Sequence, residues 1–216
     1  MPSPRSTARD LAQIAVFAAL IAALGLPGTL YLGGNAVPIT LQSLGPMLAG
    51  AMLGARKGGL AVLTFIALTT CGLPLLAGFR GGPGAVFAAP TSGYLWGWLL
   101  GAIVVGTLTK RLLPRYPLWL GILATAVGGV LCVYLIGIPW QAIRTETPLW
   151  TAIAGSGIYL PGDAIKVVVT ALTAKQVHRA YPGLLAAPRR RQLPGGPDAG
   201  ARATADGAQT QHRAER

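Results

Sequence analysis

From residue 118 to residue 138 the chain runs without one charged side chain. A helix of that length rises about 30 Å, the thickness of a bilayer's hydrocarbon core. Five more hydrophobic segments can be marked, at 11–26, 41–53, 59–76, 93–113 and 150–177, the last interrupted at Pro161-Gly162. Only 11% of the 216 residues are charged and 52% are hydrophobic, whereas soluble domains carry about 25% charged residues. The expected fold is therefore an all-α integral membrane protein of six transmembrane helices. The segments at 11–26, 41–53 and 59–76 are lean, so flanking loop residues should add to their length. No cleavable secretory signal in the usual form is seen, because more apolar segments follow the first.

Net charge is +12, which raises nucleic acid as a partner. The basic residues instead cluster at the ends of apolar segments and in the carboxyl-terminal part, so a lipid bilayer is expected and nucleic acid is not. With the amino terminus inside, Arg5, Arg9, Arg56, Lys57, Lys110, Arg111, Arg115, Lys175 and Arg179 fall on the inner side. The outer loops then hold only Arg80, Arg144 and Glu146. That bias places both termini in the cytoplasm and favours an even number of spans; the expected location is a prokaryotic plasma membrane. The domain reading is a cytoplasmic segment over 1–10, a membrane domain over 11–181, and a disordered basic cytoplasmic tail over 182–216. Its Arg189-Arg190-Arg191 run suits anionic headgroups.

Small residues recur at helical spacing: Ala15, Ala19 and Ala23; Ala18 and Ala22; Gly50, Gly54 and Gly58; Gly97 and Gly101. Such rows let helices approach closely in lipid, within the bundle or against another membrane protein. Cys71 and Cys132 both lie in apolar sequence and read as packing residues, not a disulfide.

An enzyme is not expected. The phosphate-binding loop Gly-x-x-x-x-Gly-Lys-Ser/Thr is absent, as are His-Glu-x-x-His, Gly-x-Ser-x-Gly and any plausible zinc set. No cofactor or metal is implied. The polar residues that remain are few. Asp163 and Lys166 sit in apolar sequence, three apart and so on one helix face. Each ionised group at membrane depth costs roughly 2.5–3.5 kcal/mol, which points to a use for the pair, in ligand binding or in locking helices together. With Pro161 in the first helical turn, the pair falls in the outer third of the last span. The loop Gly78-Phe79-Arg80-Gly81-Gly82-Pro83-Gly84 is glycine-rich with one cation and can aim N–H groups and Arg80 at an anion. The neutral loop after the first segment offers Asn35, Thr40 and Gln42 to a polar, uncharged ligand.

Five motifs then stand in order: Val37-Pro38-Ile39-Thr40-Leu41-Gln42, Gly72-Leu73-Pro74, Arg80-Gly81-Gly82, Pro90-Thr91-Ser92-Gly93-Tyr94-Leu95 and Tyr159-Leu160-Pro161-Gly162-Asp163-x-x-Lys166. This series resembles the BioY family, the biotin-specific S components of energy-coupling factor (ECF) transporters, over residues 10–180. Ser92 stands where that family usually has glycine, and the sequence from 183 onward has no counterpart. The resemblance implies the six-helix S-component fold, an outward pocket for biotin, a membrane coupling (T) subunit and two cytosolic ATP-binding subunits. It gives the alanine row of the first helix a docking role, through Ala15, Ala19 and Ala23 or through Ala18 and Ala22. The ligand is expected to meet Asp163 at its ureido N–H groups, Arg80 or Lys166 at its carboxylate, and Tyr94 and Phe79 along its apolar body, near Gly81, Gly82, Thr40, Gln42 and Asn35. An S component for another vitamin, or a structural or regulatory membrane protein whose charged pair only locks helices, is the alternative. A homo-oligomer is left open.

Overall fold

The computed structural model describes residues 4–29 and 39–185. These residues form eight α-helices, with a π-helical turn at Val127–Leu131 and a 3-10 turn at Gly157–Tyr159. The helices are α1 (Pro4–Ala23), α2 (Leu44–Thr70), α3 (Pro83–Phe87), α4 (Ser92–Leu112), α5 (Leu118–Ala126), α6 (Cys132–Arg144), α7 (Leu149–Ser156) and α8 (Leu160–Ala180). Among the described residues there is no strand; an isolated bridge pairs Leu76 with Arg80. Four stretches are long and apolar enough to cross a membrane: Leu44–Thr70, Ser92–Leu112, Leu118–Arg144 and Leu149–Ala180.

The segments expected at 41–53 and 59–76 join into α2, and the join is a sharp reversal. Gly54 adopts φ 79°, ψ 176°, a region that side-chain-bearing residues rarely enter. A Cβ placed on Gly58 would lie 2.7 Å from the Ala49 carbonyl oxygen. In a straight helix those residues are about 13 Å apart, so residues 44–53 and 55–70 double back side by side. The third segment stops at Thr70, and 71–82 form a loop. The first helix begins at Pro4, ahead of the apolar segment. Its polar start is anchored by Lys57, whose Nζ donates to Asp10 Oδ1 at 3.1 Å and to Gln13 Oε1 at 2.6 Å.

The small-residue rows mark the closest helix approaches. Gly50 lies against the backbone of Ala102, Gly106 against Gly54 and Ala55, Gly97 against Val133, and Gly101 against Gly128. Around them Ile21, Val62, Phe65, Ile66, Val86 and Leu95 form a buried core joining α1, α2, α3 and α4. Cys71 is exposed and Cys132 half-buried, and both are free thiols.

The bundle has two chemically distinct ends. At one lies the Gly54 turn, flanked by Arg56 and Lys57. His178 of α8 donates from Nε2 to the Ala51 carbonyl at 2.8 Å there. Lys110 and Arg111 in the last turn of α4 and Arg179 in that of α8 sit at this end too. Leu185 is buried against Gly54, so the turn after α8, expected to begin the tail, belongs to the folded body through residue 185. At the opposite end the loop 88–91 meets α6: Trp140 Nε1 donates to Ala89 O at 2.9 Å and Arg144 Nε to Ala88 O at 2.8 Å.

Candidate ligand pocket

A pocket with about 520 Å³ of empty space, its open mouth included, lies among α2, α4, α6 and α8 at the end away from the Gly54 turn. Ile39, Thr40 and Ser43 come from the entry to α2, and Tyr94 and Trp98 from one face of α4. Gly129, Val133 and Tyr134 come from the π turn and α6, and Tyr159, Asp163 and Lys166 from the start of α8. The π turn is a local widening of the helix, a feature common at functional sites. Gly129 within it faces Met47 so closely that a Cβ would lie 2.7 Å from the Met47 Cγ.

The charged pair forms as its spacing requires. The 3-10 turn ends at Tyr159, Pro161 occupies the first turn of α8, and Asp163 follows in that same turn, where the helix dipole favours a carboxylate. Lys166 Nζ donates to Asp163 Oδ1 at 3.0 Å. Both residues are buried, 8% and 7% exposed. Two residues from other helices complete the group. Tyr134 OH donates to Asp163 Oδ2 at 2.7 Å, and Lys166 Nζ donates to Ser43 Oγ at 2.9 Å. An ionised carboxylate offers about four lone-pair sites and an ammonium three N–H donors. Among the described residues, two acceptor sites on Asp163 and one N–H of Lys166 are therefore left over in the pocket wall.

A second chamber of about 410 Å³ adjoins the first and shares Thr40, Tyr94 and Trp98 with it. Arg80 enters here, with Gln42, Leu76, Ala77, Thr91 and Leu95. Its Nε donates to Ala77 O at 3.2 Å and its Nη1 to Thr91 Oγ1 at 3.4 Å. No carboxylate pairs with it among the described residues. Tyr94 stands between the chambers, its hydroxyl donating to Gln141 Oε1 at 2.8 Å and lying 3.5 Å from Ser156 Oγ.

Asp163, Lys166, Thr40 and Tyr94 therefore line the first chamber, and Arg80 and Gln42 the second. Gln42 lies there with its amide already engaged. Nε2 donates to Ile21 O at 3.1 Å and Leu75 O at 2.8 Å, while Oε1 accepts from Ala77 N at 3.0 Å. Gly81 packs on the backbone of Leu73 and Pro74, and Gly82 N donates to Thr69 O at 2.8 Å; neither lines a chamber. Phe79 is 72% exposed. It sits at the tip of the turn closed by the Leu76–Arg80 bridge, with φ 55°, and lines an outer groove with Ala22, Ala23 and Leu26. The structure thus separates it from both chambers. Asn35 lies outside the described residues.

On α1, Ala15, Ala19 and Ala23 are exposed, Ala18 is buried and Ala22 half-buried. The two alanine registers expected from the sequence thus differ in burial, the first exposed and the second turned into the bundle.

Sequence reasoning missed Ser43, Trp98, Gly129, Tyr134 and Tyr159 as pocket residues. Some signals were present. Trp98 follows Tyr94 by one helical turn, Tyr159 begins the motif that holds Asp163, and Tyr134 carries the one phenol in an otherwise apolar segment. Nothing local indicated that Tyr134 or Ser43 reaches α8.

A helical bundle of apolar spans with a buried donor–acceptor pair in a small-molecule cavity defines a ligand-binding membrane protein. Comparison with known proteins narrows the class. The BioY family model matches residues 1–183, and the chain belongs to the BioY family. A biotin transporter BioY of Rhizobium etli is 46% identical over 179 residues, 81% of this chain and 95% of that protein. Another, of Rhodobacter capsulatus, is 47% identical over 190 residues, 83% of this chain and 98% of that protein. The crystal structure of the S-component for biotin from an ECF-type ABC transporter superposes with a TM-score of 0.78 at 30% identity, covering 83% of this chain and 95% of that one.

Proposed function

We propose that this chain is the biotin-binding membrane subunit of an ECF-type uptake transporter, without catalytic activity of its own. The observation that carries the reading is the Asp163–Lys166 edge. A cyclic urea presents an N–H donor beside a carbonyl acceptor. An ionised carboxylate beside an ammonium is the complementary pattern, and charge-assisted hydrogen bonds of this kind are the strong ones. In this reading Asp163 accepts from the ureido N–H while Lys166 both pairs with Asp163 and donates to the ureido oxygen. Tyr94, Trp98 and Val133 enclose the apolar rings and chain, and Thr40 borders both chambers. Arg80, which no carboxylate pairs with among the described residues, receives the ligand's carboxylate. Gln42, Gly81 and Gly82 shape the loop around that second chamber.

The same reading makes six crossings, counting the Gly54 reversal as the inner turn between the second and third. Both termini lie in the cytoplasm of a plasma-membrane protein. The gathering of Arg56, Lys57, Lys110, Arg111 and Arg179 at the end opposite the pocket supports that sidedness. The basic tail expected from the sequence lies, from residue 186 onward, outside the described residues. Energy comes from a membrane coupling subunit and two cytosolic ATP-binding subunits. The exposed register Ala15, Ala19 and Ala23 suits close helix docking to the coupling subunit, and the buried register does not.

Equilibrium binding of labelled biotin to the purified full chain tests the reading. Nanomolar affinity is expected. Removing one charged hydrogen bond from the ligand costs about 1.5–3 kcal/mol, or roughly 10- to 150-fold, so Asp163→Asn and Lys166→Ala should each weaken binding by that order with the fold retained. No binding by the parent at micromolar biotin, or an Asp163→Asn variant as tight as the parent, defeats it.

A further inference from the structure

We propose that Tyr134 is a positioning residue for ligand recognition, acting through Asp163; this rests on the reading that biotin's urea meets Asp163. The terminal torsion of an aspartate is broad and roughly two-fold, so α8 alone does not orient the carboxylate. Left with Lys166 as its sole partner, the group is free to rotate until both oxygens meet the ammonium, and its outward acceptor sites are then spent on the ion pair.

Tyr134 opposes that rotation. It reaches across from α6 and donates to Oδ2 at 2.7 Å while Lys166 holds Oδ1 at 3.0 Å. Two donors on different oxygens fix the carboxylate plane, and the lone pairs left over keep one direction. The ammonium is held in the same way from its far side by Ser43 Oγ at 2.9 Å. The phenol is itself held in place. Its ring meets Tyr94 edge to face, with centroids 6.2 Å apart and an interplanar angle of 84°, and the Tyr94 hydroxyl is anchored on Gln141. Recognition groups whose supporting shell is locked lose less freedom when the ligand binds.

The test is a double-mutant cycle on the full chain in lipid nanodiscs, reading biotin affinity. Tyr134→Phe keeps the ring and removes one oxygen, so the packing on Tyr94 is preserved. It should weaken biotin about 10-fold in the parent background. In the Asp163→Asn background it should cost less than twofold, because the carboxylate it orients is gone. A Tyr134→Phe affinity within twofold of the parent overturns the proposal. An equal loss in both backgrounds also overturns it, since the phenol would then act on packing alone. Failure of the parent itself to bind biotin counts against the proposed function instead, and is visible separately.

Discussion

Gln42 offers a direct test of how the pocket is built. The residue is 1% exposed, and its amide makes three hydrogen bonds to two other pieces of chain: Ile21 on α1, and Leu75 and Ala77 on the loop that carries Arg80. Gln42→Met keeps the length and removes all three hydrogen bonds. An orphaned buried backbone group costs about 1–3 kcal/mol. Leu75 is half-exposed and its bond to Gln42 only part-buried, so that loss is taken at about 1 kcal/mol, the low end. The sum is then about 3–7 kcal/mol, which in a domain of this size lowers the thermal midpoint by about 6–28 °C. Gln42→Glu should be no milder, because an oxygen would replace the donor 2.8 Å from Leu75 O. The assay is thermal unfolding of the full chain in a fixed detergent, with biotin affinity measured well below the transition. A tie of this kind lowers the midpoint steeply and changes affinity in the folded fraction by less than tenfold. A Gln42→Met midpoint within 2 °C of the parent (roughly 1 kcal/mol) together with a large loss of affinity would refute the reasoning. The amide would then be a ligand contact, as the sequence suggested.

Three further outcomes are expected. Arg80→Gln should weaken biotin about 10-fold or more while leaving biotin methyl ester nearly unchanged, because only the acid presents a charge to the guanidinium; competition binding with the two ligands decides it. Gly129→Leu should abolish biotin binding, since the new side chain meets Met47 and projects from a residue of the pocket wall; titration calorimetry reads the loss. Tyr116, in the connection between α4 and α5, is 3% exposed, and burial pushes its phenol up to about 12 from the ordinary 10.0. The neutral form is thus favoured in the fold. Its contribution is complete below pH 10 and is lost as pH rises toward 12, by about 2–3 kcal/mol in all. Comparing the midpoints of the parent and Tyr116→Phe from pH 8 to 12 should show the parent falling more steeply across that window.

Everything governed by neighbours along one helix was open to inspection in the sequence. The apolar segments became helices, and the glycine rows became close helix approaches at Gly50, Gly97 and Gly101. Asp163 and Lys166 met because residues three apart share a helical face, and Pro161 opened that helix as a proline at the first turn does. Charge counting separated the basic end from the pocket end with no coordinates at all. What lay beyond reach was every contact between helices. Ser43 and Lys166 are 123 residues apart in the chain, and Tyr134 and Asp163 are 29 apart; no local period encodes such meetings. Gln42, equally plausible as a ligand donor, is engaged with the backbone because α1 and the 71–82 loop converge on it. Phe79 looked like pocket lining until the turn closed by Leu76 and Arg80 carried it outside. Composition and spacing determined that the chain would make apolar helices with one charged pair among them. Tertiary packing decided which side chains surround that pair, since four separate helices must converge before the cavity exists.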